Sequence, residues 1–481
     1  MDALPAGSRV AYRFVDPNGD DRTRWFAFRV AGWSAEGGSL RLDPLEGAEH
    51  LVGDSVGWLR ADRGPARLRF ALRLPPSAHV IGFGERFDSL DQDGRRLQAT
   101  VFDPYLDHGN RSYMPMPFGI VVPADGSAGW GFYIRTSRRT WFDVGATDPD
   151  RLAIEVALDP RDRRPTVELA IYVGGPADVL SAFLDEVGRP APPPDWVFRP
   201  WMSGNEWNTQ ARVRAEVERS LAEAIPVGVV VVEAWSDENT FVAFGDARYA
   251  VHPDGSPHTL ADFSFPAEGA WPDPKGLLDW LHERGIRVLL WQVPVLPPHP
   301  TPGSQAAADE QLMIERGYAV RRADGRPYRV EAEWFRNGLV LDPTNDAALD
   351  WWLAKRRYLV AELGVDGFKT DGGEHVRGDA LSYADGTRGG ATNNRYPVLY
   401  EAAFHRLLRD CGRDPVTFSR SGFAGSQRFP CHWAGDERSS WEAFRASITA
   451  GLSAGASGIS FWGWDLAGFS GEVPSAELYL R

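Results

Sequence analysis

At 481 residues the chain exceeds what one ordinary hydrophobic core accommodates, so two domains are expected, with three as the alternative. Hydrophobic residues at 43% and charged residues at 25% exclude disordered and collagen-like classes. A formal net charge of −14 with no Lys/Arg-rich run argues against a nucleic-acid partner, because phosphates demand a basic face.

The start, Met1-Asp2-Ala3-Leu4-Pro5, has no basic segment followed by an apolar run, and no later stretch reads as a membrane span. Cys411 and Cys431 lie outside any CxxC or Cys/His spacing, so no disulfide framework, metal site or cofactor is expected. Together these features predict a cytoplasmic protein that binds neither nucleic acid nor membrane. They leave room for a homo-oligomer.

From Val10 to about Pro190, short apolar alternations are separated by Gly, Pro and Asp turns, as in Trp25-Phe26-Ala27-Phe28-Arg29-Val30 and Val167-Glu168-Leu169-Ala170-Ile171-Tyr172-Val173. This predicts an antiparallel β-sandwich over residues 1–190. The cluster Pro190-Ala191-Pro192-Pro193-Pro194 reads as a linker.

Over 191–481 the pattern changes to short apolar strands alternating with amphipathic helices, the mark of βα units around a parallel sheet. Strands are expected at Arg199-Pro200-Trp201, Val227 to Val232, Arg287 to Gln292, Asp366 to Thr370, Val416 to Arg420, Phe429 to Trp433 and Gly458 to Trp462. Helices are expected over Ala211 to Ala224, Lys275 to Arg284, Ala347 to Leu363, Pro397 to Asp410 and Trp441 to Ala454. The fold class is therefore an α/β barrel of the (β/α)8 TIM type. Seven strands are one too few, and Glu477 to Arg481 reads as a helix cut short, so the expectation is a chain that stops before strand eight or a barrel closed by another segment. The Pro-rich excursion Val293 to Pro343 would sit over the barrel mouth, where long loops tend to be functional.

Barrel strands end in loops facing the active site, which draws attention to acids placed there. Val365-Asp366-Gly367-Phe368-Lys369-Thr370-Asp371-Gly372-Gly373-Glu374 puts Asp371 at the rim, and His432-Trp433-Ala434-Gly435-Asp436-Glu437 does the same for Asp436, with adjacency in the barrel expected to bring the two together. Two carboxyl groups roughly 5–5.5 Å apart suffice for retaining glycoside hydrolysis, one attacking the anomeric carbon and the other protonating the departing oxygen. Lys369, on the same strand face as Asp371, would help keep it ionised while also contacting sugar hydroxyls. Trp433 would supply an apolar wall that raises the proton affinity of Asp436. Taken singly, each Asp fits a helix cap equally well, and Asp371 with Glu374 fits a capping box.

Glu233 ends the second strand, where an unpaired charge is costly to bury. Arg420 either binds sugar hydroxyls or neutralises the acids. With 19 Trp in the chain, Trp291 and Trp462 at strand ends are candidate sugar platforms, against the alternative of core packing, and Asp465 is a further loop carboxylate.

These residues resemble glycoside hydrolase family 31. Phe368-Lys369-Thr370-Asp371-Gly372-Gly373-Glu374 is similar to the nucleophile motif of its bacterial α-xylosidase-like branch, where Phe usually stands at the Gly372 position. Ser419-Arg420-Ser421-Gly422-Phe423 through Trp433-Ala434-Gly435-Asp436 resembles the acid/base block, with its Arg-to-Asp spacing of sixteen, and Phe461 to Phe469 resembles the strand that follows. Upstream, Gly82-Phe83-Gly84-Glu85-Arg86-Phe87 resembles the family's N-terminal sandwich.

The resemblance implies Asp371 as nucleophile, Asp436 as acid/base, and Arg420 and Glu233 as contacts to the sugar in the −1 subsite. Family members more often carry Asp at the Glu233 position. The implied activity is exo-hydrolysis of a terminal α-linked sugar of glucose or xylose type, with an oligosaccharide or glycoside as partner and no cofactor. The rival readings are a transglycosylase, a silent carbohydrate binder on the same fold, and a metal-dependent hydrolase, for which His375 and His432 lack spaced partners.

Overall fold

The computed structural model describes residues 9–12, 26–29, 32–105, 111–298, 300–332 and 334–481. It divides into two compact units, each discontinuous in sequence. One comprises Met1–Val80, Asp91–Gln98 and Gly119–Val179; the other comprises Ile81–Leu90, Ala99–Phe118 and Leu180–Arg481. Two segments from the first 118 residues therefore belong with the barrel.

The sandwich region carries a five-stranded sheet, in the order Ser39–Leu42, Thr166–Val173, Trp130–Ile134, Pro115–Val122, His79–Gly84. A six-stranded sheet runs Trp33–Ser34, Gly57–Ala61, Gly64–Arg73, Arg151–Ala157, Thr140–Val144, Arg95–Ala99. Alternation dictates the faces: along Arg151–Ala157, Leu152, Ile154 and Val156 are buried between more exposed neighbours. One pairing departs from the expected antiparallel pattern, since Ser39–Leu42 runs parallel to Thr166–Val173. Of the first alternating run, Phe26–Arg29 pairs with Arg9–Tyr12, while Trp25 and Val30 lie outside the described residues.

Among the described residues of the second unit, seven parallel strands follow chain order: β1 (Trp201–Gly204), β2 (Val229–Val232), β3 (Arg287–Gln292), β4 (Gly367–Thr370), β5 (Val416–Ser419), β6 (Cys431–Trp433) and β7 (Trp462–Gly463). The connecting helices include α1 (Gln210–Ala222), α2 (Pro274–His282), α3 (Gln305–Arg316), α4 (Asp346–Ala354), α5 (Tyr396–Asp410) and α6 (Trp441–Gly455). Side-chain caps fix their starts: Thr209 accepts from the Arg212 N–H, Asp273 from Gly276 and Ser440 from Ala443.

The four valines of β2 show why an unbroken apolar run is needed. Val230 and Val232 pack with Leu277, Leu278 and Leu281 of α2, whereas Val229 and Val231 join Leu289 and the rings of Trp201 and Phe418. Each such side chain contributes about 1.5–3 kcal/mol by leaving water.

Two boundaries differ from the sequence expectation for identifiable reasons. Gly458, expected to open β7, instead has φ +87 and donates its N–H back to Gly455 O at the end of α6, so the strand begins at Trp462. The helix expected over Ala347 to Leu363 stops at Ala354. Arg356 turns inward there, its Nη1 donating to the Trp352 carbonyl (2.9 Å), and a π turn over Leu359–Leu363 follows.

The excursion after β3 is ordered rather than a bare loop. Val295–Leu296 pairs with Leu339–Val340, α3 is capped by Ser304 and stopped by Gly317, and a buried Lys355–Asp309 ion pair of 2.7 Å holds α3 in place. No helix among the described residues is long and apolar enough to cross a membrane.

Candidate active site

β4 places Lys369 and Asp371 on one face, two residues apart. Asp371, 7% exposed, receives the Trp291 indole N–H on Oδ2 (2.8 Å), the Gly372 N–H on Oδ1 (2.8 Å), and the Arg420 Nε, 3.1 Å from Oδ1. Burial pushes its pKa up, but the positive charges of Arg420 and Lys369 and these hydrogen bonds outweigh that and hold it below the usual carboxylate range.

Asp436, in the loop after β6, experiences the opposite balance. Burial, then the negative charge of Asp371, raise its carboxyl to about 6 against the pull of Arg420 and Lys369. Asp371 and Asp436 sit on β4 and the β6 loop, so they are not on neighbouring strands as adjacency would require. β5 lies between them, and Arg420 at its end bridges the gap, with Nη1 3.7 Å from Asp436 Oδ2.

Arg420 is the hub. Besides those two acids it donates through Nε to Glu374 Oε1 (2.8 Å), reaches Asp103 at 3.5 Å, and lies between the rings of Tyr113 (4.8 Å) and Trp334 (4.7 Å). Four carboxyl groups on one planar guanidinium match the rigid fork that Arg supplies and Lys does not. Glu374 is therefore a partner of Arg420, not the third residue of a capping box. No helix begins at Asp371; the next one starts at Gly389.

Lys369 sits over the Trp433 ring (4.5 Å) and bonds Glu233 Oε1 at 2.5 Å. Burial alone would lower its pKa, but Glu233, Asp371 and Asp465 together raise it, so it remains an ammonium. Glu233 thus acquires the partner that its burial requires. Trp433 is 2% exposed and packs at a tilt against Phe418 (4.7 Å), so it lies beneath Lys369 instead of presenting an open face. Trp291 and Trp462 remain half-buried, and the Trp462 indole donates to Glu85 Oε1 at 2.9 Å. The Asp465 backbone N–H donates to Glu437 Oε1 (2.8 Å), and burial raises the Asp465 carboxyl. His432 Nε2 lies 3.4 Å from Glu401 Oε1, away from the two acids.

Several residues of the site escaped sequence reasoning. Asp103 and Tyr113 come from Ala99–Phe118, and Trp334 comes from the excursion. Glu85, fully buried and raised to about 8 by that burial, had a signal in retrospect: a lone acid in Gly82-Phe83-Gly84-Glu85-Arg86-Phe87. Glu437, raised to about 9 by burial and by Asp465, is another.

A seven-stranded parallel barrel sheet, a β-sandwich, and two rim acids bridged by a buried arginine fit the glycoside hydrolases of family 31, and the chain belongs to that family. Residues 190–481 match the "Glycosyl hydrolases family 31 TIM-barrel domain", and residues 31–143 match the family's "N-terminal galactose mutarotase-like domain". The chain is similar to the 1,3-alpha-isomaltosidase of Kribbella flavida, 52% identical over 99% of this chain and 65% of that protein. It is 38% identical to the isomaltosyltransferase of Sporosarcina globispora, covering 85% of this chain and 37% of that one. Among solved structures, the cycloalternan-degrading enzyme from Trueperella pyogenes in complex with a covalent intermediate aligns with a TM-score of 0.91 and 49% identity, over 98% of this chain and 64% of that chain. This chain spans less than two thirds of the length of each of these three relatives.

Proposed function

We propose that the chain carries the catalytic site of a retaining, exo-acting α-glycosidase that releases an isomaltosyl unit from an α-1,3 linkage. The carrying observation is that one buried guanidinium touches both Asp371 and Asp436 while their proton affinities are pushed apart. Retaining chemistry needs that division: an ionised nucleophile and a protonated acid at the same pH.

In the first step Asp371 attacks the anomeric carbon as Asp436 gives its proton to the departing glycosidic oxygen. Having given up its proton, Asp436 is left as a carboxylate, and the ester formed at Asp371 removes one of the negative charges that raise its pKa, so it stays ionised and takes a proton from the incoming water as that water attacks the anomeric carbon and releases Asp371. The Lys369–Glu233 pair, with Arg420 above Tyr113, offers charged contacts to sugar hydroxyls. Glucose-type substrates are preferred over xylose-type ones because the two curated relatives described above are named for isomaltosyl chemistry. The name of the Sporosarcina relative also favours a second reading, capture of the intermediate by a sugar acceptor.

The test uses 4-nitrophenyl α-isomaltoside and an isomaltosyl-α-1,3-glucose trisaccharide with wild type, Asp371→Ala and Asp436→Ala, each with azide. An α-azide product from Asp436→Ala and a β-azide product from Asp371→Ala are expected, since azide takes the place of water in one case and of the nucleophile in the other. Azide products of the opposite anomers would refute the roles. A folded wild type that binds isomaltose without turnover would favour the silent binder, and saccharide products longer than the substrate would favour transfer.

A further inference from the structure

The mechanism above makes no use of His375, yet it packs against the turn that follows Asp371. It is 3% exposed, its ring packs at a tilt against Trp334 (4.9 Å), the same indole that covers Arg420, and Phe335 meets it edge-on at 6.1 Å. Gly372, the residue after Asp371, has φ +77, and a methyl group there would fall 2.4 Å from His375 Cε1. The turn following the nucleophile is therefore folded around this ring, and only glycine leaves room for it.

The tautomer follows from the hydrogen bonds. The Gly373 N–H donates to Nδ1 (3.4 Å), so Nδ1 carries the lone pair and the proton resides on Nε2. Burial, then the charge of Arg420, lower the pKa to about 3, which keeps the imidazole neutral. Nε2 is a buried donor without a protein acceptor. An N–H so placed is costly to leave unmade in a dry site.

From this arrangement we infer that His375 is a specificity-determining residue, whose Nε2–H donates to a hydroxyl of the sugar seated against Asp371. The inference rests on the reading of the site as a sugar pocket. It supplies that pocket with a neutral donor beside its charged groups, fixed in direction by the Gly372–Gly373 turn.

The test is a cycle of enzyme and ligand changes read by calorimetric binding, so that it does not depend on turnover. Isomaltose and its single-deoxy analogues at the ring hydroxyls of the reducing-end glucose are titrated into wild type, His375→Phe and His375→Gln. One deoxy position is expected to weaken binding to wild type by about tenfold, the worth of one good hydrogen bond, and to make no difference in His375→Phe. His375→Gln, which keeps an N–H, is expected to restore part of that loss, and it carries the test if the Phe variant does not fold. Equal deoxy penalties in wild type and both variants would overturn the inference, as would an absence of isomaltose binding by wild type. Loss of turnover with the binding cycle intact would count against the hydrolase reading alone.

Discussion

Asp436 owes its raised proton affinity to burial and then to the charge of Asp371, and removing that charge provides a direct test of the catalytic pair. The rise from the ordinary 3.8 to about 6 corresponds to ~3 kcal/mol at roughly 1.4 kcal/mol per pH unit. Burial is the larger cause and Arg420 opposes both, so Asp371→Asn is expected to bring Asp436 down by about one pH unit, roughly 1.4 kcal/mol. The assay is carboxyl-13C aspartate NMR, with the Asp436 signal assigned by its loss in Asp436→Asn. The same reasoning governs rate: kcat/KM should fall as pH rises through about 6, leaving Asp436 roughly one-tenth protonated at pH 7. An Asp436 midpoint that stays near 6 or rises in Asp371→Asn would refute the coupling.

Arg420→Lys replaces a fork that serves four carboxyl groups with a point charge, and should lower stability by about 3–5 kcal/mol in urea titrations and kcat/KM by more than roughly a hundredfold. Gly372→Ala combines a positive φ with a clash against His375, and should lower stability by about 1–3 kcal/mol in the same titration and reduce kcat/KM. Glu85 keeps its proton up to about 8 when folded but releases it near its ordinary 4.5 when unfolded, so its contribution is complete below that value and is lost as pH rises through 8. Glu85→Gln preserves an acceptor for the Trp462 indole, and should flatten the decline in urea midpoint between pH 5 and 8; an unchanged decline would assign it to other groups.

The strand order of the barrel was legible because each strand is a short apolar run between helical periods, as with Val229–Val232. Asp371, Asp436, Arg420 and Glu233 were legible because they follow such runs, and Lys369 because it shares the strand face of Asp371; the structure joins all five through Arg420 and Lys369. What escaped was the environment that gives the acids their properties. Asp103, Tyr113 and Trp334 lie on loops with no periodicity to mark them, and their importance comes from meeting Arg420. The aromatics show the same limit: nothing in the sequence separates Trp433, packed beneath Lys369, from half-buried Trp291.

The pairing of early and late segments also sets a clock on synthesis. Glu85 meets Trp462 across 377 positions, and the Val101 N–H meets Asn394 across 293. At about 5–20 residues per second, the ribosome delivers Trp462 roughly 20–75 s after Glu85 emerges. During that interval Glu85, Asp103 and Tyr113 wait without the residues that will bury them, so the pocket is completed last, and chaperone protection of this early segment would matter most before the barrel strands appear.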